Sequence, residues 1–120
     1  MFIIEKYKTA NGKCPLDDFL NELKKSGNNN DLYKIQDYVI KLEELGNQIL
    51  TNSNWAKVLD DGICELRPNK NRIIYFYCSN NGHYILLHGF KKKTNKTPQN
   101  EIEKAKKEAA DYERRYKNEN

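Results

Sequence analysis

The chain has 120 residues, 38% of them hydrophobic and 32% charged, with a formal net charge of +4 and a mean hydropathy of -0.96. That length suits one compact domain, residues 1–120, built round a single core. No apolar stretch approaches the roughly 20 residues that a membrane-spanning helix needs, and the apolar run of "MFIIEKYK" is shorter than the hydrophobic segment of a secretory signal, so a cytoplasmic address is expected.

Read in chain order, "MFIIEKYK" is β-branched and aromatic and predicts a strand, and "TANGKCP" supplies turn residues after it. Pro15 suits the first position of a helix whose stripe is Leu16, Phe19, Leu20 and Leu23, and Gly27 is placed to end it. Asn30 or Asp31 is the expected cap of a second helix carrying Leu32, Ile35, Val39 and Leu42, stopped by Gly46. Two antiparallel amphipathic helices follow from that pattern. From Trp55 the period changes, and "WAKVLDD", "GICELRP", "RIIYFYC" and "HYILLHGF" read as antiparallel strands joined at Asp-Gly, "NKN" and "SNNG". Their middle runs are apolar on both alternating faces, which predicts a sheet covered on more than one side. Thr97 and Pro98 then look like the cap and first residue of a last helix with Ile102, Ala105, Ala109, Tyr112 and Tyr116 on one stripe. The fold class is α+β.

Cys14, Cys64 and Cys78 are odd in number and show no paired spacing, so reduced thiols are expected. With only His83 and His88 and no CxxC or HExxH, the sequence implies neither a metal site nor a cofactor. The charge distribution is more telling. Between Leu66 and Asn100 there is no acidic residue, while Arg67, Lys70, Arg72, Lys91, Lys92, Lys93 and Lys96 all fall there. A solvated surface run is the ordinary reading of such lysines. Antiparallel order, however, returns the end of the "HYILLHGF" strand to the edge where Arg67 and Arg72 flank a turn, so the cations are expected to converge and attract phosphate. RNA brings its own nucleophile in the 2′-hydroxyl, so a protein need only orient it, accept its proton and stabilise charge on phosphorus.

The ordered set "VLDDGICELRP", "RIIYFYC", "ILLHGFKKKTNKTP" and "IEKAKKEAADYERR", from about Trp55 to Arg115, resembles the phage-derived HigB-like toxins of the RelE/ParE toxin superfamily. The resemblance implies a RelE-like fold: an N-terminal strand and a two-helix hairpin packed on a small antiparallel sheet, with a C-terminal helix. It further implies a type II toxin that cleaves messenger RNA on the ribosome, held in check by a helix-turn-helix, HigA-like antitoxin. By position, Arg67 and Arg72 match the basic strand residues that stabilise the transition state, and Lys91, Lys92 and Lys93 match the basic run that comes after them. Lys92 and His88 join the arginines as catalytic candidates, and Lys70, Lys91, Lys93 and Lys96 as phosphate-binding ones. The RelE branch carries a base-stacking tyrosine where this chain has Thr97 and Pro98, and His88, Glu65 or a lysine remain open as proton acceptor. Two alternatives stand beside this reading: a ParE-like inhibitor of DNA gyrase, and a non-catalytic nucleic-acid-binding or corepressor module acting with the antitoxin.

Overall fold

The computed structural model describes residues 1–119. Its elements are β1 (Ile4–Lys6), α1 (Pro15–Lys25), α2 (Asn29–Leu45), a 3₁₀ turn (Gly46–Thr51), β2 (Ala56–Asp60), β3 (Ile63–Leu66), β4 (Asn71–Cys78), β5 (His83–Lys91) and α3 (Gln99–Glu119).

Local chemistry explains the helix ends. Pro15 opens α1, Asp17 and Asp18 occupy its first turn and Lys24 and Lys25 its last, each sign matched to the helix dipole. Gly27, at φ +77°, then closes it: the Gly27 N–H donates to the Lys24 carbonyl and the Asn28 N–H to that of Leu23. Two orphan carbonyls are satisfied in a left-handed turn that a side chain would strain. The α2 cap lies two residues earlier than Asn30, at Asn28, whose backbone carbonyl takes the Leu32 N–H and whose side chain makes no capping bond. At α3 the expected cap also moves. The Pro98 carbonyl accepts from the Ile102 N–H, so Pro98 occupies the cap position and the Thr97 hydroxyl is free to go elsewhere.

The sheet order is β1-β5-β4-β3-β2. Strands β2 to β5 form the antiparallel meander expected, and the Asp61–Gly62 turn has positive φ at both residues, as a tight hairpin of right-handed strands requires. The first strand departs from a purely antiparallel sheet: β1 pairs in parallel with β5, Ile4 opposite Tyr84, so the sheet is mixed.

Both faces are covered. On one, Leu16, Leu23, Ile35, Tyr38 and Leu42 of α1 and α2 meet Leu66, Ile73, Tyr75 and Leu86. On the other, Ala105 and Ala109 of α3 meet Ile63, Ile74, Phe76, Ile85 and Leu87. The sheet thus divides the apolar interior into two layers where a single core was expected. The arrangement is α+β and fits the RelE-like layout. The meander carries two irregularities. The β2–β3 register shifts between Val58 and Asp60, and the β4–β5 register shifts between Ile74 and Tyr75, leaving Leu87 as an extra residue.

Candidate functional site

Leu66 pairs with Ile73, so Arg67 and Arg72 stand on either side of the turn that joins β3 to β4. Both guanidinium groups reach the same carboxylate. Arg67 Nε lies 3.4 Å and Arg72 Nε 3.7 Å from Glu65 Oε2, while the Thr97 hydroxyl donates to Glu65 Oε1 at 2.5 Å. Glu65 is only 2% exposed. A carboxylate so buried is tolerable because cations and a hydroxyl surround it.

The two arginines differ in what they have left to offer. Arg72 is 4% exposed, and its Nη1 donates to the carbonyls of Asn69 and Asn71 at 2.9 and 2.8 Å, tying the turn together. Burial pushes its guanidinium below the ordinary arginine range, and the Glu65 charge works against that shift. Arg67 keeps a side chain 25% exposed and gives one hydrogen bond, from Nη1 to the Ser53 carbonyl at 2.9 Å, while its Nε is buried beside Glu65, so the donors left over are on the terminal nitrogens. Arg67 therefore has donors to spare for an incoming anion; Arg72 is the structural member of the pair.

A cleft of about 300 Å³ opens over this cluster, lined by Lys57, Glu65, Arg67, Asn95, Lys96 and Thr97 among others. Lys57 pairs directly with Glu65 across β2 and β3 and so projects from the same face of the sheet. Sequence reasoning missed it. A simple two-residue Asp61–Gly62 hairpin would put Val58 opposite Glu65 and Lys57 opposite Leu66; the shift between Val58 and Asp60 brings Lys57 round instead.

The remaining candidates are divided. Lys96 lines the Arg67 cleft. Lys91 lies 4.0 Å from Asp31 of α2 and, with Lys93, lines a neighbouring hollow of about 460 Å³ that also holds Phe19, Phe90 and Glu101. The Lys92 N–H donates to the Lys70 carbonyl at 2.8 Å, which holds the lysine run beside the β3–β4 turn, and the Lys70 side chain is exposed. The cations thus share one end of the sheet without entering one pocket. His88 stands apart. It is 2% exposed, with Nδ1 at 2.5 Å from Glu108 Oε1 and Nε2 at 3.1 Å from Glu101 Oε1, both on α3. Neither ring nitrogen is open to a substrate, and the ring does not line the Arg67 cleft.

Among the described residues no group of three or more His, Cys, Asp or Glu is placed to hold a metal ion, and Cys14, Cys64 and Cys78 are buried free thiols. No helix among those residues is long and apolar enough to cross a membrane.

A family model described as "Phage derived protein Gp49-like (DUF891)" matches residues 18–110. The chain belongs to the phage-derived Gp49-like family. The matched region of this Gp49-like protein runs from α1 through most of α3 and takes in Lys57, Glu65, Arg67, Arg72, His88, Lys96 and Thr97. No curated protein matches the chain.

Proposed function

We propose that this Gp49-like protein is a HigB-like toxin, an endoribonuclease that cuts messenger RNA on the ribosome without a metal ion and is neutralised by a helix-turn-helix antitoxin. One observation carries the reading: a partly exposed guanidinium, Arg67, with a single hydrogen bond from its terminal nitrogens, sits in a cleft with Lys57 and Lys96 and a single buried carboxylate, Glu65.

In this reading a phosphate of the message enters the cleft and takes its charge-assisted hydrogen bonds from Arg67, with Lys57 and Lys96 adding field. The neighbouring 2′-oxygen attacks phosphorus, its proton passes to a base, and the bond to the departing 5′-oxygen breaks as that oxygen takes a proton from a lysine of the cleft or from water. The products are a 2′,3′-cyclic phosphate and a 5′-hydroxyl. Of the groups that could take the proton, Glu65 lines the cleft and His88 does not. Glu65 Oε2 keeps acceptor capacity, since its guanidinium contacts at 3.4 and 3.7 Å are longer than strong hydrogen bonds. We assign the proton to Glu65. Arg67 stabilises the extra charge on phosphorus as it develops.

Primer extension on cellular messages after a brief pulse of expression tests the proposal. New 5′ ends within coding regions, absent with Arg67→Ala, are the expected result. Arrest of DNA replication with intact messages would point instead to a gyrase inhibitor, and intact messages with unimpaired replication to a binding module.

A further inference from the structure

The clasped histidine does no chemistry in that mechanism, yet its surroundings are unusual. A neutral imidazole has one N–H to give, whereas His88 presents both ring nitrogens to carboxylate oxygens, Glu108 at 2.5 Å and Glu101 at 3.1 Å. Both contacts are met when the imidazolium donates from both sides, and a neutral ring meets them only if one carboxyl carries the proton instead. The ring faces α3 because of the extra residue in β5. Leu86 belongs to the layer under α1 and α2, and strict alternation would return His88 to that layer. With Leu87 unpaired, Leu87 and His88 both turn toward α3.

The same bulge sets His88 in one cross-strand row with the cleft. Ile74 pairs with Glu65 on one side and with His88 on the other. The start of α3 grips both ends of that row: the Thr97 hydroxyl binds Glu65, and Glu101, four residues on, binds His88. Thr97 has no other side-chain hydrogen bond among the described residues. Its placement over Glu65 depends on where the first turn of α3 is held, and in that turn the Glu101–His88 contact stands beside the buried side chain of Ile102.

We propose that His88 is a positioning residue for the Glu65–Arg67 cleft: its charged ring, clasped by Glu101 and Glu108, fixes the first turn of α3 so that Thr97 orients Glu65. The proposal rests on the cleavage function assigned to that cleft and adds a regulation of it by proton concentration. When the ring loses its proton, one nitrogen lone pair is left facing a carboxylate oxygen. The longer Glu101 arm gives way first, and Thr97 leaves Glu65 with it. Cleavage therefore falls on the alkaline side. The ionisable groups bonded to the ring both come from α3, Glu101 and Glu108; β4 presents Ile74, and β5 presents Phe90 with its ring centre 6.2 Å away.

The test uses the full chain. Nitrogen NMR of the His88 ring and the methyl signal of Thr97 are followed together from pH ~5 to ~9. Expected are a ring protonated at both nitrogens at neutral pH and a Thr97 signal that shifts in step with loss of that proton. Glu101→Gln should leave the ring on Glu108 and abolish the Thr97 response. A bare ring nitrogen at neutral pH, or a Thr97 signal indifferent to the ring, overturns the proposal. In ribosome-dependent cleavage, Glu101→Gln and Thr97→Val should each lower kcat by ~10-fold with KM within ~2-fold and flatten the alkaline limb. An alkaline limb unchanged in Glu101→Gln also overturns it. Should the wild-type chain cut no RNA at all, the assigned function fails, while the ring and methyl signals still decide whether the clasp positions Thr97.

Discussion

Lys57 stands opposite Glu65 across the β2–β3 pair, which places a cation from the edge strand on the rim of the Arg67 cleft. It adds charge where the family resemblance assigns none. Replacing Lys57 or Lys96 with Ala should weaken RNA association without unfolding the chain, since both side chains are exposed. Each lost phosphate contact should reduce the slope of log affinity against log salt by about 0.7 on single-stranded RNA. Fluorescence titrations at several salt concentrations measure this, and unchanged slopes in the double variant would remove both lysines from the interface.

Arg67 and Arg72 should separate cleanly on substitution. Arg67→Ala removes the arginine with spare donors but leaves Glu65 with Arg72 and Thr97, so cleavage is lost while stability drops by only about 1 kcal/mol. Arg72→Ala leaves a buried carboxylate short of its buried cation and two turn carbonyls without a donor. A loss of about 3–5 kcal/mol is expected there. Urea unfolding of both variants beside primer extension checks the contrast; equal destabilisation would contradict the division of labour.

The meander was legible because its turns are local: Asp61–Gly62 and the "SNNG" segment announce tight connections, and an alternation with no polar face announces layers on both sides. The convergence of Arg67 with Arg72 followed from strand order alone. What stayed hidden depends on single-residue shifts. The irregularity between Val58 and Asp60 decides that Lys57 faces Glu65, and the unpaired Leu87 decides that His88 faces α3, yet neither residue has a composition that marks a bulge. The parallel pairing of β1 with β5 is hidden for another reason. It joins Ile4 to Tyr84, far apart in the chain, and three residues carry no register signal of their own. Thr97 was legible as a polar residue before a helix; that its hydroxyl would bind Glu65 rather than a helical N–H depends on the tertiary fold.

Away from the cleft, α3 is tied to the N-terminal segment through Asp111. Its carboxylate accepts from the Tyr7 hydroxyl at 2.7 Å and from Arg115, and Arg115 also donates to the Lys8 carbonyl. The Tyr7 hydrogen bond, with Arg115 next, draws the Asp111 carboxyl down to about 2. A folded value below the unfolded one contributes stability above the unfolded pKa, near 4, and that contribution disappears as pH falls toward about 2. Tyr7 behaves in the opposite sense. Burial, then Asp111, pushes its hydroxyl up to about 12, so its share is present below about 10 and lost as pH rises through 12. Asp111→Asn should therefore be less sensitive to acid than the wild type between pH ~4 and ~2. Thermal melts across that window test it, and parallel acid curves would show that the carboxylate carries no linked stability.

Gly89 of β5 lies close against Phe19 of α1. A Cβ built there would lie 2.6 Å from Phe19 Cδ2 and 2.9 Å from Ile73 Cδ1, so a methyl group forces two side chains apart. Gly89→Ala should cost about 1–3 kcal/mol by overpacking. The clash has two parts of different softness. Phe19 is only partly buried and can swing toward solvent, whereas Ile73 is fully buried in the layer beneath α1 and α2. Adding Phe19→Leu should thus recover part of the loss, and Ile73→Val should recover another part by withdrawing the second contact. Urea midpoints for the single and double variants measure the coupling. Additive costs, with neither second substitution rescuing the first, would mean that Phe19 and Ile73 are not what the added methyl displaces.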